Sequence, residues 1–116
     1  MTDEQENTTN DVQVQENPSE HRFEVLVDGT LAGLSQYLDV EVGDGDQRIF
    51  HHTEVFDEFG GQGLGGVLTR EALLASAEAG HRVVPVCPFV KRWVVTHHDV
   101  DDSVDPVRPE HLDALR

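Results

Sequence analysis

The sequence is short of basic residues, of cysteine and of long apolar runs. Eight Lys or Arg residues stand against 23 Asp or Glu, so the formal net charge of the 116 residues is -15 at pH 7. Proteins that bind nucleic acids need clustered basic residues to neutralise phosphates, and this balance argues against that class. We interpret the charge as a contribution to solubility. The alternative is that it attracts cationic molecules such as polyamines or basic peptides.

Cys87 is the single cysteine, which rules out an internal disulfide. No apolar run approaches the roughly 18 residues that a membrane-spanning helix needs. Residues 1–20 are acidic and polar, so they do not resemble a secretory signal. We therefore expect a cytoplasmic protein that has no contact with a membrane.

The pattern of side chains divides the sequence into three parts. Residues 1–21 carry no aromatic and almost no aliphatic side chains, so burial cannot offset their ordering entropy and we predict disorder. Residues 22–98 are predicted to form one domain, because a chain of this length has room for one hydrophobic core. Residues 99–116 are predicted to be an acidic tail with at most one short helix, near residues 109–115.

The first half of the predicted domain has the pattern of an antiparallel meander. Residues 23–27, 31–42 and 47–55 are β-favouring, and residues 31–42 alternate with a period of two. Asp28-Gly29 is a strong hairpin signal because both residues tolerate positive φ. We therefore expect three consecutive antiparallel strands.

The second half combines helical and strand patterns. A helix is predicted from the glycine cluster at residues 60–66 to Gly80, with an apolar stripe from which Leu73 points away. The stripe consists of Leu64, Val67, Leu68, Ala72, Ala75 and Ala79. Residues 82–87 are predicted to form a fourth strand, parallel to the third because a helix connects the two. Pro88 is predicted to open a second helix that ends near residue 96.

The glycine cluster is the strongest chemical signal in the sequence. At the start of a helix, backbone N–H groups that no side chain obstructs form an anion site, and the helix dipole favours phosphate there. The alternative is a flexible loop that closes tightly onto the helix. Residues 61–66 match the dinucleotide fingerprint, but four residues separate the strand from the glycines, so that context fails. A Walker loop also fails, because no Gly-Lys-Ser/Thr follows.

Three separated motifs then indicate a family. Residues 52–55 (His-Thr-Glu-Val), 59–65 (Phe-Gly-Gly-Gln-Gly-Leu-Gly) and 83–89 (Val-Val-Pro-Val-Cys-Pro-Phe) resemble, in order and spacing, the small single-domain N-acetyltransferases of the GNAT superfamily. The resemblance covers residues 23–98. It implies an α+β fold with a mixed sheet, in which an antiparallel meander is followed by a β-α-β unit and a final helix. It also implies acetyl-CoA as the acyl donor and an amine as the acceptor.

The resemblance assigns donor-binding roles to two regions. The family's pyrophosphate motif, Gln/Arg-x-x-Gly-x-Gly/Ala, falls on residues 60–65, where Gly63 and Gly65 match and Gly60 replaces the usual Arg or Gln. The donor-binding residues implied are Val55, Gly60, Gly61, Gln62, Gly63, Leu64, Gly65 and Cys87. Of these, the Val55 N–H would bind the thioester carbonyl. Cys87 lies at the C-terminal end of a predicted parallel strand, where α/β ligand sites gather, so we expect it to pack beside the coenzyme. The alternatives are that it lines the acyl pocket, reacts as a nucleophile or packs only as a small buried residue.

Pro85 lies within the predicted fourth strand, where it cannot donate to a β-ladder. In the GNAT fold the two parallel strands separate, and the pantetheine arm lies in the gap between them. Residues 52–55 and 83–87 would be these strands here. The alternative is a simple edge strand, and the sequence leaves both open.

Two side chains on the third strand are candidates for proton transfer. His52 and Glu54 share one strand face with Phe50, because side chains alternate along a strand, and His51 points to the opposite face. Either His52 or Glu54 could accept the proton of an amine. The alternatives are a structural histidine and a solvated carboxylate.

Other residues limit this assignment. Trp93 occupies the position where many GNAT enzymes have a tyrosine that protonates the thiolate, and Tyr37 is far away in the sequence. A module that binds acetyl-CoA or a partner protein without catalysis is therefore the alternative function. Residues 97–99 (His-His-Asp) match no closed metal site, so we predict no metal. A monomer or weak dimer is expected.

Overall fold

The computed structural model describes residues 11–42 and 45–116. They form a five-stranded sheet in which the strands are neighbours in sequence order. The strands are β1 (Val12–Asn17), β2 (Arg22–Val27), β3 (Thr30–Val42), β4 (Gly45–Val55) and β5 (His81–Pro85). The helices are α1 (Leu64–Glu78), α2 (Pro88–Thr96) and α3 (Pro109–Ala114), and 3-10 turns occupy Pro18–Glu20, Asp57–Phe59 and Asp101–Ser103. In this described part, no helix is long and apolar enough to cross a membrane.

The predicted topology is confirmed. Strands β1 to β4 pair antiparallel, and β5 pairs parallel with β4 after the crossover through α1. Asp28 and Gly29 join β2 to β3 with φ values of 51° and 84°. Two positive φ values are those of a type I′ turn, whose twist matches that of the flanking strands.

The prediction of disorder over residues 1–21 is wrong for the part that the structure describes. Residues 12–17 form β1 and pair along their whole length with β2. Val14 packs against the core, while Gln15 and Asn17 hydrogen-bond to Glu24 of β2. An edge strand gains its stability from its neighbour, so its own few apolar residues underestimate it. Residues 1–10 of this prediction lie outside the described residues.

The main core lies between the sheet and helices α1 and α2. The predicted helical stripe is correct only in part: Leu73 is buried, whereas Val67, Ala75 and Ala79 are exposed. The face of α1 that packs on the sheet consists of Leu64, Gly65, Leu68, Thr69, Ala72, Leu73 and Ser76. Thr69 and Ser76 belong to this face although they are polar, so a count of apolar residues alone placed the stripe slightly off its true direction.

A buried arginine crosses this core. Arg48 is 5% exposed and makes two hydrogen bonds to Asp39, of 2.7 and 2.9 Å. Its guanidinium lies 3.9 Å from the centre of the Tyr37 ring and donates to Ser76 of α1 at 3.2 Å. A buried charge is tolerated only when it is paired and hydrogen-bonded, and these contacts tie α1 to β3 and β4.

The C-terminal residues are packed against the rest of the fold, from Val100 in the core to His111, so the prediction of a tail over residues 99–116 is wrong. Val104 forms a parallel bridge with Val83, and Arg82 donates to the Asp105 carboxylate at 2.7 Å. His111 of α3 is buried and hydrogen-bonds to Gln47 at 2.8 Å. The predicted helix near residues 109–115 is confirmed as α3. These long-range polar contacts carry no periodic signal in the sequence.

Candidate functional site

Strands β4 and β5, the last two strands at one edge of the sheet, separate part-way along β4. Their parallel pairing ends where Phe50 meets Pro85. The Phe50 carbonyl accepts hydrogen bonds from the N–H groups of Val86 at 3.1 Å and Cys87 at 2.8 Å. Beyond this point β4 continues for residues 51–55 while the chain turns into α2. Pro85 thus ends the pairing of β5 with β4, and β5 is the outer strand of the described sheet.

The backbone of Val55 faces the gap between the two strands. Phe56 N–H donates to Ala32 of β3, and the Glu54 carbonyl lies against Gly33 of the same strand. In a strand, the N–H and C=O of one residue point to the same side, and those of the next residue point to the other side. The N–H and C=O of Val55, between these two residues, therefore point away from β3 towards the gap.

Helix α1 begins without a side-chain cap. Its N-cap is Gly63 and its first turn holds no acidic residue. The first hydrogen bond of the helix runs from Val67 N–H to the Gly63 carbonyl. The N–H groups of Leu64, Gly65 and Gly66 precede it, and they meet no backbone or side-chain acceptor in the described part of the chain. Such groups, together with the helix dipole, are a site for an anion.

The glycines of the loop have different physical roles. Gly61 and Gly63 adopt φ values of 79° and 73°, where a side chain would be strained. Gly65 has helical φ, but a Cβ there would lie 2.5 Å from Phe89 Cζ of α2. Gly60 ends the preceding 3-10 turn through its N–H bond to Asp57. Of the other two predicted donor-binding residues in this loop, Gln62 is exposed and Leu64 is buried.

His52 and Glu54 form a hydrogen-bonded pair on β4. Nε2 of His52 lies 3.2 Å from Oε1 of Glu54, and both side chains are about half exposed (50% and 51%). The expectation that Phe50 shares their face is wrong. His51 is an extra residue opposite the Gln36–Tyr37 step of β3, and such a bulge reverses the alternation of side chains.

Two contacts establish that reversal. Thr53 hydrogen-bonds to Ser35, and Ser35 lies on the same face of the sheet as its cross-strand partner Phe23. Phe23 in turn stacks on Phe50 in the core, with a centroid distance of 6.3 Å. The Phe50 ring therefore lies on the helix-covered face. Alternation along residues 52–54 then places His52 and Glu54 on the opposite face, which α1 and α2 leave open.

The remaining candidate residues lie around the point where the strands separate. Cys87 is 3% exposed and forms the N-cap of α2. Trp93 is buried on α2, and its ring stacks on His97 at 4.5 Å. The Tyr37 hydroxyl hydrogen-bonds to Glu16 of β1, and burial raises the pKa of this tyrosine. The buried, bonded phenol of Tyr37 is therefore not free to serve as a proton donor near β5.

A family model described as GCN5-related N-acetyl-transferase matches residues 22–103 of this chain. The chain belongs to this family. The resemblance inferred from the three sequence motifs is therefore confirmed. A search of curated protein sequences gave no significant match.

Two solved structures are similar to this chain in fold. One is an aminoglycoside acetyltransferase from an uncultured soil metagenomic sample, in complex with sisomicin. It is 15% identical with a TM-score of 0.50, and the match covers 82% of this chain and 53% of that one. The other is a ribosomal-protein-alanine N-acetyltransferase from Brucella melitensis biovar Abortus 2308. It is 21% identical with a TM-score of 0.53, and the match covers 75% of this chain and 69% of that one.

These likenesses bear on the fold alone. They confirm the predicted α+β architecture of the GNAT superfamily. The chain spans about half the length of the aminoglycoside acetyltransferase that it matches. Sequence reasoning missed two features of the site, the bulge at His51 and the support of Gly65 by Phe89. Neither has a local signal, because one depends on strand register and the other on how two helices meet.

Proposed function

We propose that this acetyltransferase moves the acetyl group of acetyl-CoA to the nitrogen of an amine. The observation that carries the proposal is that the uncapped first turn of α1 meets the first turn of α2 through Gly65 and Phe89, and that α2 begins where β4 and β5 separate. The anion site and the gap between the strands are therefore neighbours. Together they suit a ligand that has a pyrophosphate followed by a long, thin pantetheine arm.

The residues present fit the donor. The N–H groups of Leu64, Gly65 and Gly66 would hold the pyrophosphate, while Gly61 and Gly63 keep the approach free of side chains. The N–H of Val55, which points into the gap, would bind the thioester carbonyl, and buried Cys87 would line the slot. When bound, acetyl-CoA supplies an acyl group on a good leaving thiolate.

The pair of His52 and Glu54 would handle the proton. An amine arrives largely protonated at neutral pH, and it must lose a proton before its lone pair attacks the carbonyl carbon. A C–N bond then forms, the C–S bond breaks, and the sulfur leaves with the electron pair. The nitrogen loses two protons in all, and each passes to solvent through His52 or Glu54, directly or through water. The thiolate takes one proton back from solvent, so one proton is released per amide formed.

The buried Trp93 leaves the alternative function in place. The indole of Trp93 cannot protonate the thiolate, and the described residues of α2 include no tyrosine that could do so. A protein that binds acetyl-CoA without turnover would have the same glycine loop and gap. The two functions differ in the effect of the His52–Glu54 pair, which matters only for catalysis.

The test compares two exposed His–carboxylate pairs. Nε2 of His52 lies 3.2 Å from the Glu54 carboxylate, and Nδ1 of His98 lies 2.9 Å from the Asp101 carboxylate, far from the gap. The double variant His52→Ala/Glu54→Ala should bind CoA normally in calorimetry and lose at least about 100-fold in acetyl transfer to amines. The matched variant His98→Ala/Asp101→Ala should retain both properties.

Each result has a definite meaning. If wild-type protein binds CoA and acetylates none of a panel of primary amines, the non-catalytic alternative is correct. If the His52/Glu54 double variant turns over like wild type between pH 6 and 9, another group or water removes the proton. If CoA fails to bind wild-type protein, the proposal itself is wrong.

A further inference from the structure

A groove of about 350 Å³ lies on the other side of β4 from the gap. The tip of the β1–β2 hairpin, the middle of β3, the bulge of β4 and the end of α3 form its walls. The residues that define it, which we call the hairpin groove, are Glu20, His21, Gln36, Leu38, His51 and Leu115. This groove has no part in the donor site described above.

Strand register places the hairpin groove beside the proposed base. Gln36 of the groove is the cross-strand partner of His52, and the bulged His51 precedes His52 directly. Tyr37, next to Gln36, pairs with Phe50, the residue at which β4 and β5 separate. A molecule in the groove therefore reaches β4 beside His52, and the other edge of this strand borders the donor gap.

The groove has both apolar and polar walls, and it is negative at the end formed by the hairpin tip. Leu38 and Leu115 are half-buried there, whereas Glu20 is exposed at the hairpin tip. Burial, and then the neighbouring His52, lower the pKa of His51 below its ordinary value. His51 is therefore neutral at pH 7 and adds no positive charge that would repel a cation.

The dimensions of the groove follow from strand spacing. The His21 carbonyl accepts a hydrogen bond from Tyr37 N–H at 2.9 Å, so the hairpin tip lies beside β3 at Tyr37. The cross-strand partner of Tyr37 on β4 is Phe50. Two strand spacings thus separate the hairpin tip from β4, which is about 10 Å. A carboxylate stands at one end of this distance and a proton acceptor at the other.

We propose that the hairpin groove holds the acyl acceptor, and that this acceptor is an unbranched aliphatic diamine. The inference rests on the proposed function. One nitrogen of the diamine lies at His52 and Glu54, gives up its protons and forms the amide bond as the thiolate leaves. The other stays protonated beside Glu20, and the methylenes between them contact Leu38 and Leu115. The net charge of -15 draws such a dication to the protein.

Binding is tested without turnover, on the full chain with CoA bound. 1,6-Diaminohexane is titrated into ¹⁵N-labelled protein, and we expect the amide shifts of Gln36, Leu38, His51 and Leu115 to move most. Shifts confined to the acidic groove around Glu78 and residues 98–103, or no saturable shifts, would overturn the assignment. Because this readout needs no acetyl transfer, the groove can stand even if the proposed catalysis fails.

Two matched pairs of variants test the roles of the walls. Leu115→Lys adds a cation to the groove, and Leu112→Lys adds one at an exposed site on the same helix outside the lining. Leu115→Lys should raise the dissociation constant for 1,6-diaminohexane at least about fivefold, and Leu112→Lys should leave it within twofold. Glu20→Gln should weaken diamine binding by about two- to fivefold, with Glu78→Gln as its control.

A comparison of amines as acyl acceptors tests the diamine assignment. If acetyl transfer occurs, kcat/KM should be higher for 1,6-diaminohexane than for hexylamine or 1,3-diaminopropane, and Glu20→Gln should reduce that preference. Equal kcat/KM for hexylamine and 1,6-diaminohexane would overturn the diamine assignment. Full acetyl transfer with unchanged diamine binding in Leu115→Lys would overturn the groove while leaving the acetyltransferase function intact.

Discussion

The contact between Gly65 and Phe89 holds the glycine loop against α2, and a single methyl group tests it. Gly65→Ala would place a Cβ 2.5 Å from Phe89 Cζ and 3.0 Å from Cε2. Gly66→Ala, one residue later in the same helical turn, would meet nothing within 4 Å. Both changes carry the same gain in helix propensity, so the difference between them isolates the contact.

The magnitude follows from these distances. Carbon atoms pack at about 3.5–4.0 Å, so the ring of Phe89 must retreat by roughly 1 Å in Gly65→Ala. Overpacking of this kind costs about 1–3 kcal/mol. Replacement of glycine by alanine within a helix stabilises it by up to about 1 kcal/mol. We therefore expect Gly66→Ala to be neutral or stabilising and Gly65→Ala to be about 1–3 kcal/mol less stable than Gly66→Ala.

The assay is urea unfolding of a double-mutant cycle. Phe89→Leu removes the ring, so Gly65→Ala should cost much less stability in the Phe89→Leu background than in wild type. The expected coupling energy is about 1–3 kcal/mol. If Gly65→Ala matches Gly66→Ala in stability, or if Phe89→Leu leaves its cost unchanged, the reasoning is wrong. The result also bears on coenzyme binding, because a bulky residue at Gly65 would disturb α2 as well as any bound phosphate.

Two further predictions concern stability. Deletion of residues 1–17 should lower the melting temperature by at least about 5 °C, because it removes β1 and the partners of Glu24. Deletion of residues 1–10 keeps β1 and is the control. Equal melting temperatures of the two deletion variants would contradict the structure. The hydrogen bond from Arg82 lowers the pKa of Asp105 below its ordinary value of 3.8, so this carboxylate stabilises the fold above about pH 4 and loses that effect as the pH falls further. Between pH 5 and 2, Asp105→Asn should therefore lose less stability than wild type in urea unfolding, by no more than about 1 kcal/mol, and identical pH profiles would refute the pairing.

The sequence alone determined the elements whose signals are local. The Asp28-Gly29 turn, the glycines before α1 and Pro88 at the start of α2 each act through φ or a missing donor within a few residues. The order of those elements was enough to predict a mixed sheet, and three motifs along them carried the resemblance to the family. The neighbourhood of His52 and Glu54 was predictable too, because both lie on one short run of alternating strand.

Only the tertiary structure decided which face that pair occupies. The bulge at His51 arises from the register of β4 against β3, and this single extra residue moves Phe50 into the core and leaves His52 on the open face. The same holds for β1 and for the C-terminal residues around His111, which become ordered through hydrogen bonds to strands far away in sequence. Such contacts depend on which segments meet in space, and no periodicity within a segment records that choice.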